Sequence, residues 1–133
     1  TWYRELRPIY GGFEAGMDRF IDLGKNDFIG RDAAMEEKRS GGKLRRVSMI
    51  VEADDADVLG DEPIWHKGKV VGWATSGGYA HFVGKSMAQG YVPKELAEDI
   101  SKGAFEIELI GKNRKATILT EPPLDPEGKR MRS

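Results

Sequence analysis

Apolar positions in this chain recur at a spacing of two over short runs broken by glycine-bearing turns, a pattern that predicts strands in preference to helices. In residues 43–52 (KLRRVSMIVE), Leu44, Val47, Met49 and Val51 alternate imperfectly with polar neighbours, which predicts a half-buried strand with one register irregularity. Residues 63–65, the stretch His66-Lys67-Gly68-Lys69 and residues 70–75 predict a hairpin whose glycine supplies the positive φ of a tight turn. A second hairpin places Phe105, Ile107 and Leu109 on one face, turns at Gly111-Lys112-Asn113 and returns through Ala116, Ile118 and Thr120. Trp65, Trp73 and Tyr91 fall within strand runs and read as core or barrel-wall residues with a polar edge at the surface. Helical signal is confined to residues 31–39 (RDAAMEEKR), stopped by Ser40-Gly41-Gly42, and to residues 93–99, with Pro93 at the first helical position. The Gly41-Gly42 step is the expected domain boundary.

Composition narrows the class of protein. A chain of 133 residues suits one domain, and its 17 glycines give the texture of a barrel or sandwich. With 21 basic and 22 acidic side chains the net charge is −1, so no global field favours nucleic acid or an anionic membrane, and neither is expected as a partner. No apolar run approaches the ~20 residues that span a bilayer, and a soluble, cytoplasmic protein is expected. Without cysteine there is no disulfide framework, thiolate nucleophile or Cys-based zinc site.

Chemistry-bearing motifs are few. Gly84-Lys85-Ser86 ends like a P-loop, but the glycine required five residues before Gly84 is replaced by Tyr79. The acidic run Asp54, Asp55, Asp57, Asp61 and Glu62 fails the EF-hand template, because counting from Asp55 puts Leu59 at the fifth position and His66 at the twelfth; a solvated loop between strands is the simpler reading. His66 and His81 have no paired metal-ligand spacing, so no metal site is expected. Tyr79, read as part of a Ser76-Gly77-Gly78 turn with small neighbours, is reachable by a flat heterocycle or is ordinary turn packing.

Three stretches taken together are more specific: residues 72–96 (GWATSGGYAHFVGKSMAQGYVPKEL), 13–33 (FEAGMDRFIDLGKNDFIGRDA) and 104–126 (AFEIELIGKNRKATILTEPPLDP). In their order along the chain they resemble the C-terminal barrel domain of the aminomethyltransferase, or glycine-cleavage T-protein, family. The flanks TWYRELRP and PPLDPEGKRMR look closest to members fused to dimethylglycine or sarcosine dehydrogenases. The resemblance implies a mainly β fold: a Greek-key-type antiparallel barrel with a short N-terminal α+β segment and one or two short helices. It implies that residues 1–42 complete a preceding folate-binding domain and carry a linker helix, that 43–122 form the barrel, and that 123–133 form an extended tail. Starting on Thr1, the chain reads as a piece of a longer protein.

The same resemblance implies a parent enzyme that passes a one-carbon unit from a small amine to tetrahydrofolate, with FAD possible in a domain outside this chain. The barrel would then cap the folate cavity against the preceding folate-binding domains and have no catalytic residue of its own. Ser76, Tyr79 and Lys85 are the candidate cofactor contacts, with Glu14, which matches a glutamate of the family's PLEAG-like motif, as either a fourth contact or a structural hydrogen-bonding group. Rival readings are a folate-dependent demethylase relative and a non-catalytic barrel that contacts RNA or protein. An iron–sulfur-maintenance relative is disfavoured by the absence of cysteine.

Overall fold

A computed structural model describes residues 2–99, 103–130 and 132. Six strands, β1 (Leu44–Val51), β2 (Pro63–His66), β3 (Lys69–Ala80), β4 (Lys85–Pro93), β5 (Phe105–Leu109) and β6 (Lys112–Ile118), close into an antiparallel barrel in the order β1-β4-β3-β2-β5-β6. Strands β2, β3 and β4 follow one another by hairpins and β1 lies beside β4, which is the Greek-key arrangement. Closure falls on β1, which pairs with β4 along its whole length and with β6 through Met49, Ile50 and Val51. Two further bonds, Leu119 N–H to the Ser48 carbonyl and Glu52 N–H to the Lys115 carbonyl, both 2.8 Å, lengthen that seam. The interior is filled by alternate residues such as Val47, Met49, Ile64, Ala88 and Ile107, with fully buried Val58 joining the core from the β1–β2 loop. Each large aliphatic side chain so buried is worth about 1.5–3 kcal/mol.

Both two-residue hairpins have the same cause. Lys67-Gly68 (φ 50° and 75°) and Ile110-Gly111 (φ 49° and 70°) put two successive residues in the left-handed region, the geometry whose twist matches that of the flanking strands. The second turn is thus one step earlier than the sequence pattern suggests, because Lys112 and Asn113 already pair with Leu109 and Glu108.

Other expectations are corrected. Pairing of β1 with β4 is unbroken from Leu44 to Val51; the irregularities lie between Ile64 and Trp65 in the β2–β3 pair and between Ala74 and Ser76 in the β3–β4 pair. Ser76-Gly77-Gly78 is no turn, since β3 runs through it to Ala80 and the chain reverses at residues 81–84. Glycine serves there for close approach: a Cβ on Gly77 would stand 2.5 Å from Val58 Cβ and 2.7 Å from the Met87 carbonyl. Pro93 ends β4 and caps α3 (Lys94–Glu98) from outside instead of occupying its first turn. The polar end of Tyr91 is not at the surface; its hydroxyl donates to the Glu5 carbonyl at 2.6 Å in the interior.

The N-terminal segment contains α1 (Trp2–Glu5), a 3-10 turn (Asp18–Phe20) and α2 (Arg31–Ser40), and no strand among its described residues, so it is helical and irregular and not α+β. Gly41, at φ 81°, ends α2 as expected, its N–H bonding to the Glu37 carbonyl at 2.7 Å. This segment is tied to the barrel by carboxylates. Glu14 accepts from the amides of Lys43 (2.7 Å), Leu44 (3.0 Å) and Gly11 (3.1 Å). Glu37 accepts from those of Phe13 and Glu14. The Tyr10 ring stacks on Tyr91 with centroids 3.8 Å apart. At the other end the exit is not simply extended: the Asp125 carboxylate accepts from the amides of Lys129 and Arg130 in a turn.

Candidate functional site

The β3–β4 hairpin closes through bonds from the Val83 and Gly84 amides to the Ala80 carbonyl, with Gly84 at φ 70°. Below this turn the end of β1, the start of β4 and the loop after β1 enclose a cleft of about 850 Å³, lined by residues that include Glu52, Asp54, Tyr79, Lys85, Ser86 and Thr117. The Tyr79 ring is 47% exposed and meets His81 edge to face, with centroids 5.1 Å apart. Ser86 is buried at the base and donates to the Asp57 carboxylate at 3.3 Å. The cleft thus offers an open aromatic face, two carboxylates and one ammonium. Glu52 also pairs with Lys115 at 3.3 Å.

Of the four residues singled out from sequence, the fold brings together Tyr79 and Lys85. Ser76 pairs with exposed Gln89 whereas Tyr79 pairs with buried Ser86, so strand alternation puts Ser76 and Tyr79 on opposite faces of β3. Ser76 lines a separate shallow depression with Gly78, Met87 and Gln89. Glu14 binds the amide of Leu44, at the end of β1 remote from the cleft, and the seven residue steps to Val51 amount to about 23 Å. Its carboxylate oxygens are engaged by three backbone amides. Partial burial pushes this carboxyl upward, but the amides of Leu44, Lys43 and Gly11 with the charge of Arg45 outweigh that and hold it below its ordinary value of 4.5.

Sequence reasoning missed Glu52, Asp54 and Ser86 as cleft residues and Asp57 behind them. The acidic run reads as a solvated loop, and only the pairing of Val51 with Ser86 shows that the loop folds beside the hairpin. Part of that loop is held from within the fold: Asp55 accepts from Arg114 at 2.7 Å, which lowers its carboxyl, and Glu62 accepts from the amides of Leu59 and Gly60. Among the described residues no group of three or more His, Cys, Asp and Glu side chains is arranged to hold a metal.

A closed six-stranded Greek-key barrel with this glycine-rich strand and hairpin defines a known class of domain. Residues 45–125 match the family described as the glycine cleavage T-protein C-terminal barrel domain, and the chain belongs to that family. It is 44% identical over 133 residues to the mitochondrial dimethylglycine dehydrogenase of Mus musculus, covering 99% of this chain and 15% of that protein. It is 36% identical over 110 residues to the aminomethyltransferase of Rippkaea orientalis, covering 82% of this chain and 29% of the relative. In fold it is similar to the crystal structure of glycine cleavage system aminomethyltransferase T from Bartonella henselae, with TM-score 0.79 at 20% identity over 92% of this chain and 34% of that one. The chain therefore spans about 15% of the length of the dehydrogenase it matches end to end.

Proposed function

We propose that this barrel is part of a larger tetrahydrofolate-dependent enzyme of the dimethylglycine and sarcosine dehydrogenase kind, in which it caps the one-carbon transfer cavity and is not catalytic alone. The end-to-end 44% match to dimethylglycine dehydrogenase carries this reading. A flavin belongs to a domain outside the chain, the immediate partners are the preceding folate-binding domains, and the substrate is a small amine. Relatives named as mitochondrial extend the expected compartment from the cytoplasm to the mitochondrion. Among the described residues no helix is long and apolar enough to cross a membrane.

The cleft beneath the β3–β4 hairpin has groups that fit a reduced folate. Tyr79 offers a flat face to the pterin, the Glu52 or Asp54 carboxylate can accept from pterin N–H groups, and Lys85 meets a carboxylate of the glutamate tail. When bound, the folate supplies the nitrogen that accepts the one-carbon unit. The barrel's own part is to orient that cofactor and exclude water from a reactive carbon species.

Amide NMR spectra of the chain, recorded with and without a stable reduced-folate analogue, test this assignment. Saturable shifts at Tyr79, Gly84, Lys85 and Ser86 are expected, together with no methylene transfer by the isolated chain. Unmoved hairpin resonances at millimolar ligand would remove the folate contact from this cleft, and turnover by the chain alone would overturn the role of cap.

A further inference from the structure

Away from that cleft, the N-terminal segment and β3 enclose a second, polar-walled cavity of about 270 Å³ between Tyr3, Arg4, Arg7, Tyr10, Asp61 and Trp73. We propose that it is a binding site for a small carboxylate, held by the guanidinium groups of Arg4 and Arg7 and by the hydroxyl of Tyr10.

The donors are placed by contacts that leave them with capacity to spare. The Tyr10 oxygen accepts the indole N–H of Trp73 at 2.9 Å, so its own proton is turned away from the indole. The ring cannot swing freely, being stacked 3.8 Å from Tyr91 at 17°, while the Tyr91 hydroxyl is fixed on the Glu5 carbonyl. Arg4 spends one nitrogen on the Leu59 carbonyl at 3.1 Å. Its other terminal nitrogen is 3.7 Å from Asp61, beyond hydrogen-bond distance, and the Asp61 side chain is 78% exposed, so its charge is only weakly neutralised. Arg7 also lines the cavity, and no carboxylate or carbonyl among the described residues accepts from it. Two guanidinium groups and a fixed phenol converging on one small space match a planar carboxylate, which arginine's rigid fork pairs with bidentately. Asp61 on the same wall tolerates a monoanion and repels a dianion, which favours carboxylate over phosphate.

Two sources could present that group: a free amino-acid carboxylate, or a glutamate carboxylate of a folate tail. The full chain, titrated by NMR with N,N-dimethylglycine, with tri-γ-glutamate and with inorganic phosphate, distinguishes them. Saturable shifts of the Trp73 indole N–H and of the Tyr3, Arg4, Arg7 and Tyr10 amides are expected with a carboxylate, and the tighter of the two carboxylates names the source. The Arg7 side chain is exposed and makes no hydrogen bond or ion pair among the described residues, so Arg7→Met should weaken binding about tenfold or more and leave the rest of the spectrum unchanged. The proposal fails if the Trp73 indole does not move at about 10 mM of either carboxylate, if phosphate binds as tightly, or if Arg7→Met binds normally. Tyr79 and Lys85 report the folate cleft in the same spectra, so the two sites stand or fall separately.

Discussion

Replacing Glu14 by alanine should release the N-terminal segment from the barrel. Its carboxylate engages three backbone amides, one on Lys43 just before β1, one on Leu44 that opens it and one on Gly11, at 2.7, 3.0 and 3.1 Å. A hydrogen bond to a charged group is worth about 1.5–3 kcal/mol. These three share one half-buried carboxylate and are not additive, so the loss is set at about 2–3 kcal/mol in all. For a domain of this size that lowers the midpoint of thermal unfolding by about 6–10 °C. The sign of the pH dependence follows from the lowered carboxyl. The ionised clasp stabilises the fold fully above the ordinary value of 4.5, and this contribution disappears as pH falls from there through the folded-state value. Thermal unfolding followed by tryptophan fluorescence reports the stack of Tyr10 near Trp73, and hydrogen exchange reads the amides of Lys43 and Leu44 directly. Glu36→Gln, on an exposed residue that pairs with Arg39 in the same helix, is the control. A Glu14→Ala protein that unfolds within about 1 °C of the original, with Lys43 and Leu44 still protected, would refute the clasp.

Two further substitutions probe the barrel. Ile110 is a β-branched residue in the left-handed region (φ 49°) and 88% exposed, so Ile110→Asn should raise stability by about 0.5–1 kcal/mol in urea denaturation; a loss of stability would show that Ile110 has a contact that outweighs its backbone strain. Gly90→Ala brings a Cβ to 2.5 Å from the Trp73 carbonyl and 2.7 Å from Ile64 Cδ1. The carbonyl cannot yield without bending β3, and a loss of about 1–3 kcal/mol is expected; an unchanged denaturation midpoint would contradict this tight β3–β4 approach.

Local chemistry made the hairpins, the end of α2 and the alternation of β5 legible in the sequence, because each depends on neighbours within a few residues: glycine at positive φ, helix formers before a glycine pair, apolar side chains at every second position. The glycines of β3 show where local reading stops. By composition Gly77 reads as part of a turn because glycine permits turns, yet its lack of a Cβ serves contact with Val58 and Met87, residues that only the barrel brings beside it. The candidate site divides the same way. Tyr79 and Lys85 are six residues apart on one hairpin, so the sequence could join them; Glu52 and Asp54 reach that cleft, and Asp57 reaches Ser86 behind it, through the long-range pairing of β1 with β4. Proximity along the chain groups Ser76 with Tyr79, and strand alternation separates them. Sequence determined which segments pair locally and the family to which they belong. Tertiary structure decided which faces meet, because closing a sheet on itself fixes the register of strands distant in the chain, and that register assigns each polar side chain to a cleft, a clasp or open solvent.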